Sequence, residues 1–160
     1  MVPYKKVFKE LEKREIKYLI AGGFAVNFHK VQRSTVDLDL VVLLETENWN
    51  AFLGLMGDLG FQPRLAVDPT LLTDEKTRNE WIQKKNMIVF SFLHESNPLE
   101  IIDVLVKDLP PFEELWAERL EVEAFGDKLK VIGKLHLIAL KERAGRTRDI
   151  QDVERLKNED

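Results

Sequence analysis

The sequence predicts a layered α+β domain, a mixed β-sheet flanked by helices with a small helical element near its C-terminal end. Short aliphatic and β-branched runs alternate along the chain with segments whose apolar residues recur every three or four positions. Glycine or proline marks many of the junctions between them. The 160 residues suffice for one core that buries roughly two thirds of the unfolded chain's surface. One domain over residues 1–160 is therefore expected, with a core over about 1–106 and a hairpin plus helical tail over about 107–160.

Tyr4, Val7, Phe8 and Leu11 share one face at i, i+3, i+4 and i+7, which predicts an amphipathic helix over 4–14. Residues 17–21 form a buried strand stopped by Gly22-Gly23, and helical character follows over 24–30. Period-two alternation over 35–44 predicts a second strand. A helix over 49–59 is closed by Gly60. Residues 62–85, with prolines and many charges, read as a loop with a short helix. The apolar runs at 86–93 and 99–106, joined through Asn97-Pro98, predict an antiparallel pair. Pro110-Pro111 opens a helix that runs to about residue 119, and Gly126-Asp127 sits between the arms of a hairpin. Two last helices, over 133–144 and 147–156, break at Gly145.

Composition removes several function classes. There is no cysteine, which excludes disulfides, thiolate metal sites and a cysteine nucleophile, and makes the cytoplasm the expected compartment. No apolar run approaches the roughly 20 residues of a membrane span, and residues 1–15 lack a signal-peptide core. With 24 basic against 28 acidic residues the net charge is −4, which argues against a protein built to grip duplex DNA. A local basic cluster of Lys141, Arg143, Arg146 and Arg148 suits a triphosphate better than a duplex.

The chemistry centres on three aspartates. Asp37 and Asp39 are two apart on an expected strand, so their carboxylates point the same way while Leu38 and Leu40 point oppositely. Asp is depleted in strands. Two that share a face want either solvent or a hard cation such as Mg²⁺. Asp103 lies within the apolar run Ile101-Ile102-Asp103-Val104-Leu105, where a lone carboxylate carries a desolvation penalty. Either a donor group or a shared cation would relieve it. Gly22-Gly23 at a strand end lets backbone N–H groups approach a phosphate. Arg33 and Thr35 stand just before the Asp pair as candidate phosphate contacts. His29, His94 and His136 have no metal-ligand spacing, and Trp49, Trp81 and Trp116 read as packing residues.

Together, Ala21-Gly22-Gly23-Phe24-Ala25, Arg33-Ser34-Thr35-Val36-Asp37-Leu38-Asp39-Leu40 and the later Asp103 strand resemble the signature of the DNA polymerase β-like nucleotidyltransferase superfamily. The tail motifs Leu137-Ile138-Ala139-Leu140-Lys141, Ala144-Gly145-Arg146, Arg148-Asp149 and Asp152-Val153 resemble its small bacterial and archaeal branch, which includes nucleotidyltransferase toxins of abortive-infection systems. The resemblance implies the nucleotidyltransferase fold and a transfer of a nucleoside monophosphate from a nucleoside triphosphate to a hydroxyl of a protein, an RNA or a small molecule. It implies two Mg²⁺ ions held by Asp37, Asp39 and Asp103, with Asp103 also helping to deprotonate the acceptor. Gly22, Gly23, Arg33, Thr35 and Lys141 are the implied nucleotide contacts, with Asp149 or Asp152 ordering the region around Lys141. A cognate partner protein belongs to the same expectation, and the alternative is a non-catalytic nucleotide-binding or partner-binding protein of a two-gene, toxin–antitoxin-like module that retains the fold. Residues 62–85 have no counterpart in the pattern. The turn is Gly-Gly where Gly-Ser is more usual, and no large acceptor-binding domain is evident, which leaves the acceptor open.

Overall fold

The computed structural model describes residues 4–159; the first three positions of the expected charged N-terminal segment lie outside the described residues. Seven strands form one mixed sheet in the order β3-β4-β5-β2-β1-β7-β6. They are β1 (Tyr18–Ala21), β2 (Leu38–Val42), β3 (Phe61–Pro63), β4 (Val89–His94), β5 (Ile101–Leu105), β6 (Leu120–Ala124) and β7 (Asp127–Val131). The helices are α1 (Lys5–Lys13), α2 (Gly22–Phe28), α3 (Thr46–Asp58), α4 (Glu75–Lys84), α5 (Phe112–Ala117), α6 (Lys134–Ala144) and α7 (Thr147–Asn158). No helix among the described residues is long and apolar enough to cross a membrane.

β1 lies near the middle of the sheet and is buried at all four positions, so it reads as a continuous apolar run instead of an alternating one. β4 and β5 alternate. Phe90, Phe92, Ile102 and Val104 are buried, while Ser91 and Asp103 are only partly so. The buried face packs against α3 and α4: Trp49 meets Phe92 at 6.2 Å between ring centroids, Phe52 meets Phe92 at 5.7 Å, and Trp81 stacks on Phe90 at 6.4 Å. Polar residues of β2, β4 and β5 are thereby turned to the opposite face.

Several boundaries differ from the sequence expectation. β2 begins at Leu38, leaving Asp37 just outside the strand. The β1–β2 ladder ends at Ala21 opposite Asp39 because the chain turns at Gly22 into α2, so earlier residues have no partner there. Residues 62–85 are more ordered than a loop with a short helix: β3 runs through Pro63, a 3₁₀ turn spans Pro69–Thr73, and α4 follows. Asp68 and Asp74 cap the 3₁₀ turn and α4, accepting from the N–H groups of Thr70 and Thr77. The β6–β7 hairpin joins the sheet through a parallel contact of β7 with β1.

Candidate functional site

Asp39 and Asp103 face each other in register across the parallel β2–β5 pair. Neighbouring strands lie about 4.8 Å apart and residues in register share a face, so two carboxylates stand side by side on the open face. Asp37 lies one residue before β2, at the mouth of the strand. Tyr4 fixes this mouth. Its buried hydroxyl sits 2.8 Å from the Val36 carbonyl and accepts from the Ile101 N–H at 3.1 Å, tying the segment before β2 to the start of β5.

The cost of this arrangement appears in the acidities. Burial, then the charges of Asp103 and Asp37, push Asp39 from 3.8 up to about 7, with Lys141 and Arg146 opposing. Burial and Asp103 also raise Asp37, against the pull of Arg64. These carboxylates crowd one another in a partly dehydrated place, the situation a hard cation relieves. The donor set of carboxylate oxygens suits Mg²⁺. Among the described residues no three acidic or histidine side chains are drawn into a finished coordination cluster, so the fit to a metal rests on register, proximity and mutual repulsion.

The glycine turn is shaped by the same aspartate. Gly22 has φ of +60°, and a Cβ there would lie 1.8 Å from Asp39 Oδ2. Only glycine accommodates both the backbone angle and the carboxylate. At Gly23 a Cβ would come within 2.4 Å of Thr35 Oγ1 and 3.4 Å of Arg33 Cζ. Gly22, Gly23, Thr35, Arg33 and Asp39 thus form one neighbourhood.

The C-terminal helices add cations to its edge. Lys141 of α6 is buried, with Nζ 2.9 Å from Asp152 and 3.4 Å from Asp149 of α7. Gly145, in the left-handed region at φ +66°, ends α6 and lets α7 fold back to make this contact. Both aspartates hold Lys141. Asp152 also pairs with Arg33 at 2.5 Å, and Asp149 takes Arg146 Nε at 2.7 Å. Burial opposes the ionisation of Asp149, yet the Arg146 hydrogen bond and the Lys141 and Arg146 charges outweigh it and hold the carboxyl below its ordinary range. The Arg33 guanidinium is therefore engaged by a carboxylate, whereas the sequence treats it simply as a phosphate contact.

A shallow cleft of about 460 Å³ lies beside this network, lined by Arg33, Ser34, Arg148, Gln151, Asp152 and others. The aspartate pair lies outside it. His29 turns inward to the Ile132 carbonyl at 2.8 Å, and Trp49 and Trp81 are buried, in keeping with packing roles. Two residues near the carboxylates escape sequence reasoning. Ser91 of β4 donates to Asp103 Oδ1 at 2.6 Å, and Arg64 acts electrostatically on Asp37. A serine in an apolar strand and an arginine in an unpatterned loop carry no local signal.

No protein-family model matches the sequence, and neither does any curated protein. Solved structures do match. The chain superposes on the lincosamide antibiotic adenylyltransferase LnuA, in its lincomycin-bound form, with a TM-score of 0.65 at 14% identity, covering 98% of this chain and 97% of that one. It matches ANT(2'')-Ia in complex with adenylyl-2''-tobramycin with a TM-score of 0.60 at 16% identity, over 94% of this chain and 83% of the other. An antigenic nucleotidyltransferase-like protein from Paracoccidioides brasiliensis matches with a TM-score of 0.55 at 19% identity, over 95% and 72%. The fold is that of the nucleotidyltransferases.

Proposed function

We propose that this nucleotidyltransferase-fold chain is a metal-dependent enzyme that moves a nucleoside monophosphate from a nucleoside triphosphate to a hydroxyl acceptor. The supporting observation is the in-register pairing of Asp39 with Asp103, beside Asp37 and against a glycine that no other residue can replace. A strand pair with solvated carboxylates would need neither the register nor the tight approach of Gly22 to Asp39. The alternative, a non-catalytic nucleotide-binding or partner-binding protein, is separated from this reading by the transfer assay below.

In the proposed reaction the acceptor oxygen bonds to the α-phosphorus, the bond from that phosphorus to the bridging oxygen breaks, and pyrophosphate leaves. Asp37, Asp39 and Asp103 would hold the two Mg²⁺ ions, which would supply charge neutralisation for the displacement. Asp103 takes up the acceptor's proton. Gly22 and Gly23 let the backbone approach the phosphates, with Thr35 beside them. Lys141 and Arg146 contribute positive charge from the edge, and the Asp149–Asp152 pair keeps Lys141 in place. Catalysis of this kind rests on positioning and charge more than on covalent help from the protein.

ATP is the first donor to test, and a hydroxyl-bearing small molecule is the proposed acceptor class. The near-complete mutual coverage with LnuA, described with lincomycin bound, supports that choice. The cysteine-free composition suits a reducing, cytoplasmic setting. Purified protein is incubated with α-labelled nucleoside triphosphates, Mg²⁺ and a panel of lincosamides, aminoglycosides and total RNA. Label transfer that disappears in the Asp37→Ala, Asp39→Ala double variant is the expected result. Undiminished transfer by that variant would show that the metal site is wrongly assigned.

A further inference from the structure

The polar face of the sheet carries a row that crosses three strands: Ser91 of β4 opposite Asp103 of β5, and Asp103 opposite Asp39 of β2. Nothing in the function proposed above uses Ser91. Ser91 is only partly buried, and its hydroxyl donates to Asp103 Oδ1 at 2.6 Å. That is the one side-chain hydrogen bond to Asp103 among the described residues. Asp103 has repelling neighbours and a carboxylate that rotates about a soft torsion. The hydrogen bond restricts that freedom. With Oδ1 engaged from the β4 side, Oδ2 is the oxygen left without a side-chain hydrogen bond, and Asp39 stands on the opposite, β2 side. The backbone strengthens the placement, because the Arg64 N–H donates to the Ser91 carbonyl at 2.9 Å and so ties down the β4 residue itself.

We infer that Ser91 is a positioning residue: it orients Asp103 so that a single carboxylate oxygen is presented to the divalent cation and to the acceptor hydroxyl. This inference rests on the nucleotidyltransferase reading above. Partners one shell beyond a ligating carboxylate govern affinity because they set its orientation, and their loss weakens metal binding about tenfold or more. Serine suits the task. Its side chain is short enough to reach a directly opposed cross-strand neighbour without displacing it, and it brings no charge into a site already crowded with three.

The test measures metal binding apart from turnover. Mn²⁺ is titrated into the full chain with a non-hydrolysable ATP analogue, and free Mn²⁺ is read by electron paramagnetic resonance. Ser91→Ala is expected to weaken Mn²⁺ binding roughly tenfold with the folded far-ultraviolet spectrum unchanged. Ser91→Thr, which keeps a hydroxyl and suits a strand, is expected to restore binding to within about twofold of wild type by the same reasoning. Ser91→Cys, nearly isosteric but a weak donor, should behave like the alanine variant and guards against a packing artefact. In turnover, Ser91→Ala should lower kcat and raise the Mg²⁺ requirement while leaving the nucleotide KM nearly unchanged. Alanine and wild type binding alike, while Asp103→Asn loses Mn²⁺, would overturn the role of Ser91 alone. Equal loss in the alanine and threonine variants would also overturn it, since the hydroxyl would then be irrelevant. A wild-type chain that binds no Mn²⁺ with the analogue would instead remove the nucleotidyltransferase reading beneath it.

Discussion

Replacing Asp39 by asparagine should make the protein more stable, and only above a definite pH. In the folded chain Asp39 is pushed from 3.8 up to about 7, so folding opposes its ionisation. The sign follows from proton binding. Between these two values the folded state holds a proton that the unfolded state has released, and stability falls as pH rises through that window. Below about 4 both states carry the neutral acid and the penalty vanishes; above about 7 it is fully present. At about 1.36 kcal/mol per tenfold change in acidity, the full penalty is on the order of 4 kcal/mol. Solvent at a partly exposed carboxylate reduces it, so the expected gain is about 2 to 4 kcal/mol at pH 8. Urea unfolding of wild type and Asp39→Asn, in chelator from pH 4.5 to 8.5, measures it. The quantity to plot is the difference between the two proteins, because groups that oppose the trend are common to both. Asp149, held below its ordinary range, is one: it loses stabilising charge as pH falls. A difference that stays flat across this range, or an asparagine variant less stable at pH 8, would refute the claim that burial and the neighbouring carboxylates strain Asp39.

Two further substitutions probe the neighbours. Gly22→Ala places a methyl group 1.8 Å from Asp39 Oδ2 at a φ of +60°; about 1 to 2 kcal/mol of backbone strain is expected, with loss of nearly all transferase activity, read by thermal unfolding and label transfer. Lys141→Met should destabilise the chain by about 3 kcal/mol, because Asp149 and Asp152 stay buried with only Arg146 and Arg33 as partners. A melting temperature within a degree of wild type would mean that those arginines suffice.

What the sequence reveals follows the range of the interactions involved. Asp39 is readable because strand periodicity is local, Asp37 because it stands two positions before it although it falls just outside β2, and Gly145 because a glycine after a helical pattern marks a left-handed cap. Asp103 is readable as an anomaly, a charge inside an apolar run. Its partner is another matter. The β2–β5 register sets Asp39 opposite Asp103, 64 positions along the chain, and no local pattern encodes a pairing over that distance. β3 leaves no pattern for a different reason: a three-residue edge strand ending in proline is too short for alternation to show. The ion pair of Arg33 with Asp152 joins residues 119 positions apart, and each alone looks like an ordinary surface charge. β2 is shorter than its sequence pattern because alternation continues back to Thr35, while the neighbouring strand that would pair with it has already turned away at Gly22.

The parallel pairing of β2 with β5 also constrains when the site can exist during synthesis. Asp39 and Asp103 are separated by two helices and two strands that must be made before the pair can meet, and loop closure over such a span is slow. Lys141 arrives later still. A chain growing from its N-terminus therefore carries its acidic residues ahead of the lysine and arginines of α6 and α7 that offset them. The electrostatic offset of Asp39 by Lys141 and Arg146 is therefore complete only once the last helices have packed.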